Sequence, residues 1–372
     1  MKQLGLAFIG LHHQHPRWYY PLWANLPEYQ PLAICEADEA FLKSENEFFK
    51  LEAYSDYRRV LDRKDIDVVV LWLPHSQMPR AVEQAAAAGK HVIVEKPCAA
   101  DLSGARQIVD VARRYPHIRI SAPYCWRTHL ASAAIREAVD AGLLGEVTAM
   151  EGRLNAGGAW RYVRDNALWM LQAREGGGPM WNLGVHWIDY FRWLTGQEVV
   201  SVCGTASGPA GEPTRDIEDN AQAVLKFSGG ATALLDISYG LTDSHPGKRD
   251  IYVSLRGQKG DIQWAPAWQG VKDEVLIVSE AAAAAGEHSR RVEVVSQAIP
   301  GYCGQMAWQW LRDFAHAVQA DGSDSTTRGS VPRKSGDRAP LASPADILAA
   351  IQVVDAFRRS LASGKAEPVH RD

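Results

Sequence analysis

Between residues 4 and 121, short apolar runs alternate with helix-forming stretches, and this alternation restricts the fold more than any other feature of the chain. The runs at 4–9, 31–35, 67–73, 91–94 and 118–121 read as strands covered on both faces, the pattern of a parallel sheet. The intervening segments 39–53, 77–88 and 102–115 are rich in helix formers, and Gly89 stands where a helix C-cap belongs. Together they predict an α/β fold with an N-terminal doubly wound parallel sheet of the Rossmann type. After Tyr124 the pattern changes. Helices are expected over 132–141, closed by Gly142, and over 178–194, followed by strands at 199–203, 221–227, 231–239, 250–255 and 275–278, with an earlier one at 147–154. Turns such as Ser228-Gly229-Gly230 favour a large, mostly antiparallel open sheet in a C-terminal α/β domain. Helices at 306–319 and 344–361 end the chain, and 320–343, rich in Ser, Gly, Asp and Arg without periodicity, reads as a flexible loop. The expected domains are 1–123, doubly wound, and 124–372, a division that suits 372 residues. The 282–285 alanine stretch reads as a connector.

A formal charge of −4 gives no electrostatic reason to expect nucleic acid or a membrane surface as partner. No apolar run approaches the roughly 20 residues of a membrane span, and the N-terminus predicts no secretory leader. Five scattered cysteines without a C-x-x-C pair predict neither a disulfide framework nor a Cys-type zinc site, and fit the cytoplasm.

The first strand runs into Gly10-Leu11-His12-His13-Gln14-His15, and the second ends at Glu36. In a dinucleotide unit, Gly permits the tight turn, backbone N–H groups receive the pyrophosphate, and the acidic residue binds ribose hydroxyls. Here His12 and His15 occupy the places of the second and third glycines, and Pro21 is expected to disturb the following helix. Glu36, without a basic neighbour, would repel a ribose 2′-phosphate, so NAD is expected in preference to NADP. His12, His13, His15 and His75 raise a metal-site alternative. No carboxylate or Cys lies at ligand spacing within that turn, so no metal is expected.

The fourth long apolar run ends in Glu95-Lys96-Pro97, holding Lys96 at the carboxyl end of a buried strand, where open α/β sheets bind ligands. With Ala88-Gly89-Lys90-His91-Val92-Ile93-Val94 before it, this segment resembles the A-G-K-H-V-x-x-E-K-P signature of the Gfo/Idh/MocA family, the relatives of glucose-fructose oxidoreductase and inositol dehydrogenase. Gly176-Gly177-Gly178-Pro179-Met180-Trp181-Asn182-Leu183-Gly184-Val185-His186-Trp187-Ile188-Asp189 is similar to the family's G-G-G-x-L-x-D-x-G-x-H-x-x-D segment, with Asn182 in place of the more frequent Asp. Met78 stands where many members carry His. The resemblance implies a nicotinamide cofactor, a small sugar or polyol substrate, and a homodimer or homotetramer. It also implies Gly10, His12, His13, Glu36, Leu73, Pro74, Glu95 and Lys96 as cofactor contacts.

Asn182 and His186, four apart in a helical pattern, share one face. His186 is the candidate proton acceptor, Lys96 the group that stabilises charge on the substrate oxygen, and Asn182 an orienting amide. Arg127 resembles the family's cleft arginine at the start of the second domain. Of the chain's thirteen Trp residues, Trp160, Trp169, Trp181, Trp187 and Trp193 cluster around this segment, predicting an aromatic wall for a sugar, with Trp160 and Arg161 as substrate contacts. The expected function is hydride transfer between a sugar, polyol or sugar-acid carbon and nicotinamide. Two alternatives are an NAD-using glycoside hydrolase of the same family and a cofactor-less binding or regulatory homologue, the latter supported by His12 and His15.

Overall fold

In the computed structural model, described over residues 3–208, 215–268, 270–281, 289–320 and 339–371, the N-terminal part is a parallel sheet with helices on both sides. Its elements are β1 (Leu4–Ile9), α1 (His15–Asn25), β2 (Tyr29–Cys35), α2 (Glu39–Phe49), β3 (Glu52–Tyr54), α3 (Tyr57–Leu61), β4 (Val68–Leu71), α4 (Met78–Ala87), β5 (His91–Val94), α5 (Leu102–Arg114) and β6 (Ile120–Ser121). The strand order is β3-β2-β1-β4-β5-β6, every pair parallel. All residues of β1 and β4 are buried, as their unbroken apolar runs require. The order reverses between β1 and β4, so a crevice opens beyond their carboxyl ends. Gly10, Glu36, Leu73 and Lys96 follow β1, β2, β4 and β5 on that edge.

Two local expectations fail. The segment 39–53 is not one helix, because Lys50 takes a left-handed conformation at φ 53° and Glu52–Tyr54 pairs as an edge strand. Pro21 does not break α1, although proline inside a helix costs about 3 kcal/mol. Tyr19, Leu22 and Trp23 are buried along this helix, each worth roughly 1.5–3 kcal/mol, and Trp23 packs edge-on against Phe8 of β1.

The second part contains α6 (Leu130–Asp140), β7 (Val147–Gly157), the short α7 (Trp160–Arg164), α8 (Val185–Thr195), β8 (Val199–Ser207), β9 (Asn220–Phe227), β10 (Thr232–Leu241), β11 (Arg249–Gly257), β12 (Gly260–Trp264), β13 (Lys272–Ser279) and β14 (Ser289–Val295). Helices α9 (Gly304–Gln319) and α10 (Pro344–Ser363) and the short β15 (Glu367–Pro368) complete it. Nine strands form one sheet, β14-β13-β12-β11-β7-β10-β9-β8-β15, antiparallel except for β7 against β10. Strand β12, between β13 and β11, and edge strand β14 carry no long apolar run, which is why periodicity does not find them. Helix α10 packs on both β8 and α5, tying the two sheets together. Among the described residues, no helix is long and apolar enough to cross a membrane. The 282–285 stretch and 321–338, most of the expected loop, lie outside the described residues.

The expected helix over 178–194 begins differently from its pattern. Met180–Gly184 forms a π-helical turn, and only from Val185 does regular α-helix continue. Such turns widen the helix locally and recur at functional sites. Helix α8 lies over β7, where Gly152 leaves room for Trp187: a Cβ there would come within 2.9 Å of the indole.

Candidate active site

Lys96 leaves the end of β5 and its side chain is buried. Its ammonium donates to both the backbone carbonyl and the side-chain Oδ1 of Asn182, with the backbone contact at 3.1 Å, and lies 3.8 Å from Glu95 Oε1. The Asn182 amide nitrogen in turn donates to the hydroxyls of Tyr162 and, at 2.9 Å, Tyr239. Arg161 stacks on both tyrosine rings, 4.7 and 4.9 Å from their centroids, and donates to the Tyr162 hydroxyl. Burial alone would raise the Tyr162 pKa, but Arg161 and the hydrogen bonds more than offset it and bring it below its ordinary value. Burial drives Tyr239 the other way, well above its ordinary value. Periodicity gives no hint of this buried polar network: Tyr162 and Tyr239 come from distant segments and read as core aromatics.

His186, on the first turn of α8, lines the same small recess as Lys96, Glu95 and His15, together with Arg249, Trp268 and Tyr302. Its ring meets Tyr124 edge-on at 5.7 Å and its Nδ1 has no hydrogen-bond partner among the described residues. Burial, reinforced by Lys96 and His15, holds its pKa well below 6.5. The four-residue spacing of Asn182 and His186 spans the π-turn, yet both side chains reach the surroundings of Lys96, one bonded to it and one across the recess.

The turn after β1 keeps the one glycine it needs. Gly10 has φ +85°, and a Cβ there would lie 2.8 Å from the backbone of Trp72 and Leu73. Glu36 accepts from the backbone N–H of Leu11 at 2.8 Å and of Asp38 at 3.2 Å. His12, at the second glycine position, folds back onto Phe41 with ring centroids 4.0 Å apart, and its imidazole lies 3.9 Å from Glu36. Its carbonyl accepts from Trp169 Nε1 at 3.0 Å. Leu73 and Pro74 border the crevice half-buried. The buried Gln14 Oε1, Glu95 Oε1 and His75 Nε2 have no hydrogen-bond partners among the described residues. Polar atoms orphaned along the carboxyl edge of a parallel sheet, around a glycine turn and an acidic strand end, fit a dinucleotide.

His13 and His15 project from this turn toward Glu95, and tertiary folding thereby supplies the carboxylate that the turn's own sequence lacks. One ligand-type atom from each lies within 4.8 Å of the others, and His15 Nδ1 is 3.1 Å from Glu95 Oε2. His13 Nδ1 accepts the backbone N–H of His15 at 3.0 Å. Burial keeps both rings well below 6.5, so a neutral His13 carries its proton on Nε2, a donor there and not a lone pair for a cation. His75 is separate: its Nδ1 lies 2.7 Å from the Glu175 carbonyl, and burial pushes it down to about 3.

Outside the recess opens a larger cavity of about 830 Å³ that shares Trp126, Arg249, Trp268 and Tyr302 with it. Trp160 and Arg161 line it, but the other four rings of the expected aromatic wall do not. Trp181, Trp187 and Trp193 are buried, the last under Arg136, because the helix that carries them is covered on nearly every side. Trp169 packs against His13 and His75. The cavity's indoles are Trp18, Trp126, Trp160 and Trp268, brought together from four segments. Arg127 lines neither space. It is buried in a bidentate pair with Asp189, its Nε 2.7 Å from Oδ2, and lies 3.5 Å from Asp346.

Residues 4–121 match the family described as "Oxidoreductase family, NAD-binding Rossmann fold", and residues 132–263 match the "GFO/IDH/MocA C-terminal domain". A dTDP-3,4-didehydro-2,6-dideoxy-alpha-D-glucose 3-reductase of Streptomyces violaceoruber is 32% identical over 146 residues, 39% of this chain and 41% of that protein. A D-apiose dehydrogenase of Rhizobium rhizogenes is 22% identical over 97% of this chain and 95% of its own. The crystal structure of an aldose-aldose oxidoreductase from Caulobacter crescentus, complexed with glycerol, shares the fold with a TM-score of 0.76 at 22% identity, covering 99% of this chain and 100% of that one. With both family regions matched in order, and a Rossmann sheet joined to a nine-stranded sheet across a recess, the chain belongs to the GFO/IDH/MocA family of oxidoreductases.

Proposed function

We propose that the protein is an NAD-dependent dehydrogenase that oxidises a CH–OH carbon of a sugar or polyol, or reduces the corresponding ketone. The observation that carries this reading is the buried ammonium of Lys96 in one recess with the neutral imidazole of His186. Bound at the crevice beyond β1 and β4, the nicotinamide cofactor supplies the acceptor for the hydride. Lys96 donates a hydrogen bond to the substrate oxygen and stabilises the negative charge that grows there. His186 takes the hydroxyl proton onto its imidazole. Asn182, bonded to Lys96 and to two tyrosine hydroxyls, holds the ammonium in place and has no proton-accepting role. Gly10, Leu73, Pro74 and the surroundings of His12, His13 and Glu95 border the cofactor, and Glu36 favours the free ribose hydroxyls of NAD over the 2′-phosphate of NADP.

A screen of sugars, polyols and sugar acids for stoichiometric NADH formation tests the reading. Release of an aglycone without net NADH, or no binding of either dinucleotide in a titration, would overturn it. Because burial depresses His186, the proton acceptor stays in its neutral form as pH falls through 6.5. Turnover is therefore expected to stay level from pH 8 to below 6; a loss centred near pH 6.5 would point to a different base.

Assembly through the nine-stranded sheet follows from its bare face. Val200, Val224 and Leu234 are exposed there, with Val224 directly opposite Leu234 on neighbouring strands. A homodimer or homotetramer that covers this face is the form we propose.

A further inference from the structure

The charged groups of the outer cavity are not balanced. Among the described residues, Arg161, Arg164, Lys248 and Arg249 line it against the single carboxylate of Asp243, in a chain whose formal charge is −4. Asp243 does not neutralise them by ion pairing: Lys248 donates to its backbone carbonyl, and Arg164 pairs with Asp165. Arg249 is the member of this group that also lines the inner recess, where Lys96 and His186 lie. It starts β11, so its backbone is held by the sheet opposite Ala156. Its guanidinium sits 5.1 Å from the centroid of the Trp268 ring, shares the recess with Tyr302, whose pKa is raised by burial and lowered in part by this cation, and donates to the Lys248 carbonyl at 3.3 Å. Among the described residues, no carboxylate forms an ion pair with it. A half-buried guanidinium oriented by an indole face and a strand end, with no anion of its own, is a preformed receptor for a planar or tetrahedral anion.

We propose that Arg249 anchors an anionic group on the substrate, so that the protein takes carboxylated or phosphorylated sugars in preference to neutral ones. The inference rests on the dehydrogenase reading only for the chemistry that follows binding. Trp268 and Trp126 offer flat apolar faces for the sugar C–H surface, while the charged end reaches Arg249. Lys96 adds positive potential within the same recess, although Glu95 opposes it in part. Arg161, buried with its Nε unpartnered among the described residues, and Arg164 extend the field outward and draw the anion in.

Calorimetric titration of the purified full-length protein with D-glucuronate, D-glucose 6-phosphate and D-glucose tests this without turnover. The expected result is that at least one anionic sugar binds roughly 10- to 100-fold more tightly than glucose, the range of a charge-assisted hydrogen-bond pair, and that added salt weakens it. Whichever anion binds more tightly identifies the charged group. Arg249→Gln should remove most of the preference, and Arg249→Lys should retain part of it; circular dichroism shows whether each variant is folded. Equal binding of all three sugars, or equal losses for charged and neutral sugars in both variants, would overturn the proposal. An Arg249-dependent preference in a protein that reduces no dinucleotide with any sugar would uphold it while removing the dehydrogenase reading.

Discussion

Lys96→Ala is expected to lower turnover by about 10² to 10³-fold, the effect of removing one donor from a developing oxyanion. Among the described residues the ammonium is the only cation bonded to Asn182, and it leaves the carboxyl edge of β5 pointing into the recess and not into solvent. Dinucleotide affinity should remain near that of the unaltered protein, because the glycine turn and Glu36 contact other groups. The variant leaves the Asn182 carbonyl oxygen without its donor, a cost of about 1–3 kcal/mol in stability, so folding is checked by thermal unfolding alongside the kinetics. A fully folded variant that turns over at the wild-type rate would remove Lys96 from the mechanism. A variant that loses cofactor binding in proportion to activity would instead make Lys96 a binding group.

Arg127→Ala should destabilise the protein by about 3–5 kcal/mol, the usual result of stripping one partner from a buried ion pair. Burial raises the pKa of Asp189, and the Arg127 guanidinium is the main influence opposing that rise. Without it the carboxylate loses its main counter-charge inside α8, the helix that also carries His186. A carboxyl whose folded pKa lies above its unfolded value stabilises the fold only when protonated. The deficit of the variant should therefore be full at neutral pH and shrink as pH falls toward the ordinary carboxylate range. Urea unfolding at pH 7 and pH 5 measures both. If Arg127 instead contacted substrate, its removal would raise KM in a protein of unchanged stability, and that result would contradict the structural role.

The two arginines show why residue type alone misassigns a cleft. Arg127 follows Trp126 in the chain and Arg249 packs on Trp268, two indoles that line the same cavity, and the partners of the two arginines separate their roles. One meets Asp189, 62 residues away along the chain, and the other meets no carboxylate among the described residues. The tryptophans repeat the lesson. Trp187 and Trp160 lie in the same stretch of sequence, yet one fills the space over Gly152 and the other is 48% exposed at the cavity mouth. A helix covered on most sides buries its rings whatever their chemistry, and no spacing along the chain reports how many sides are covered.

The parallel sheet, the turn at Gly10 and the placement of Lys96 at the end of β5 were legible in the residues themselves, because each depends on local period or on a strand terminus. Unbroken apolar runs have one solution, burial on both faces, and that alone puts Gly10, Glu36, Leu73 and Lys96 on a single edge. Tertiary structure decided everything that depends on a partner distant in sequence. Glu95 turns toward His13 and His15, Tyr162 and Tyr239 close around Asn182, and Trp18, Trp126 and Trp268 join Trp160 around the cavity in place of the other four expected rings. Those meetings are set by how two sheets and the helix bridging them pack, a long-range geometry for which neither a 3.6-residue nor a two-residue period carries any signal.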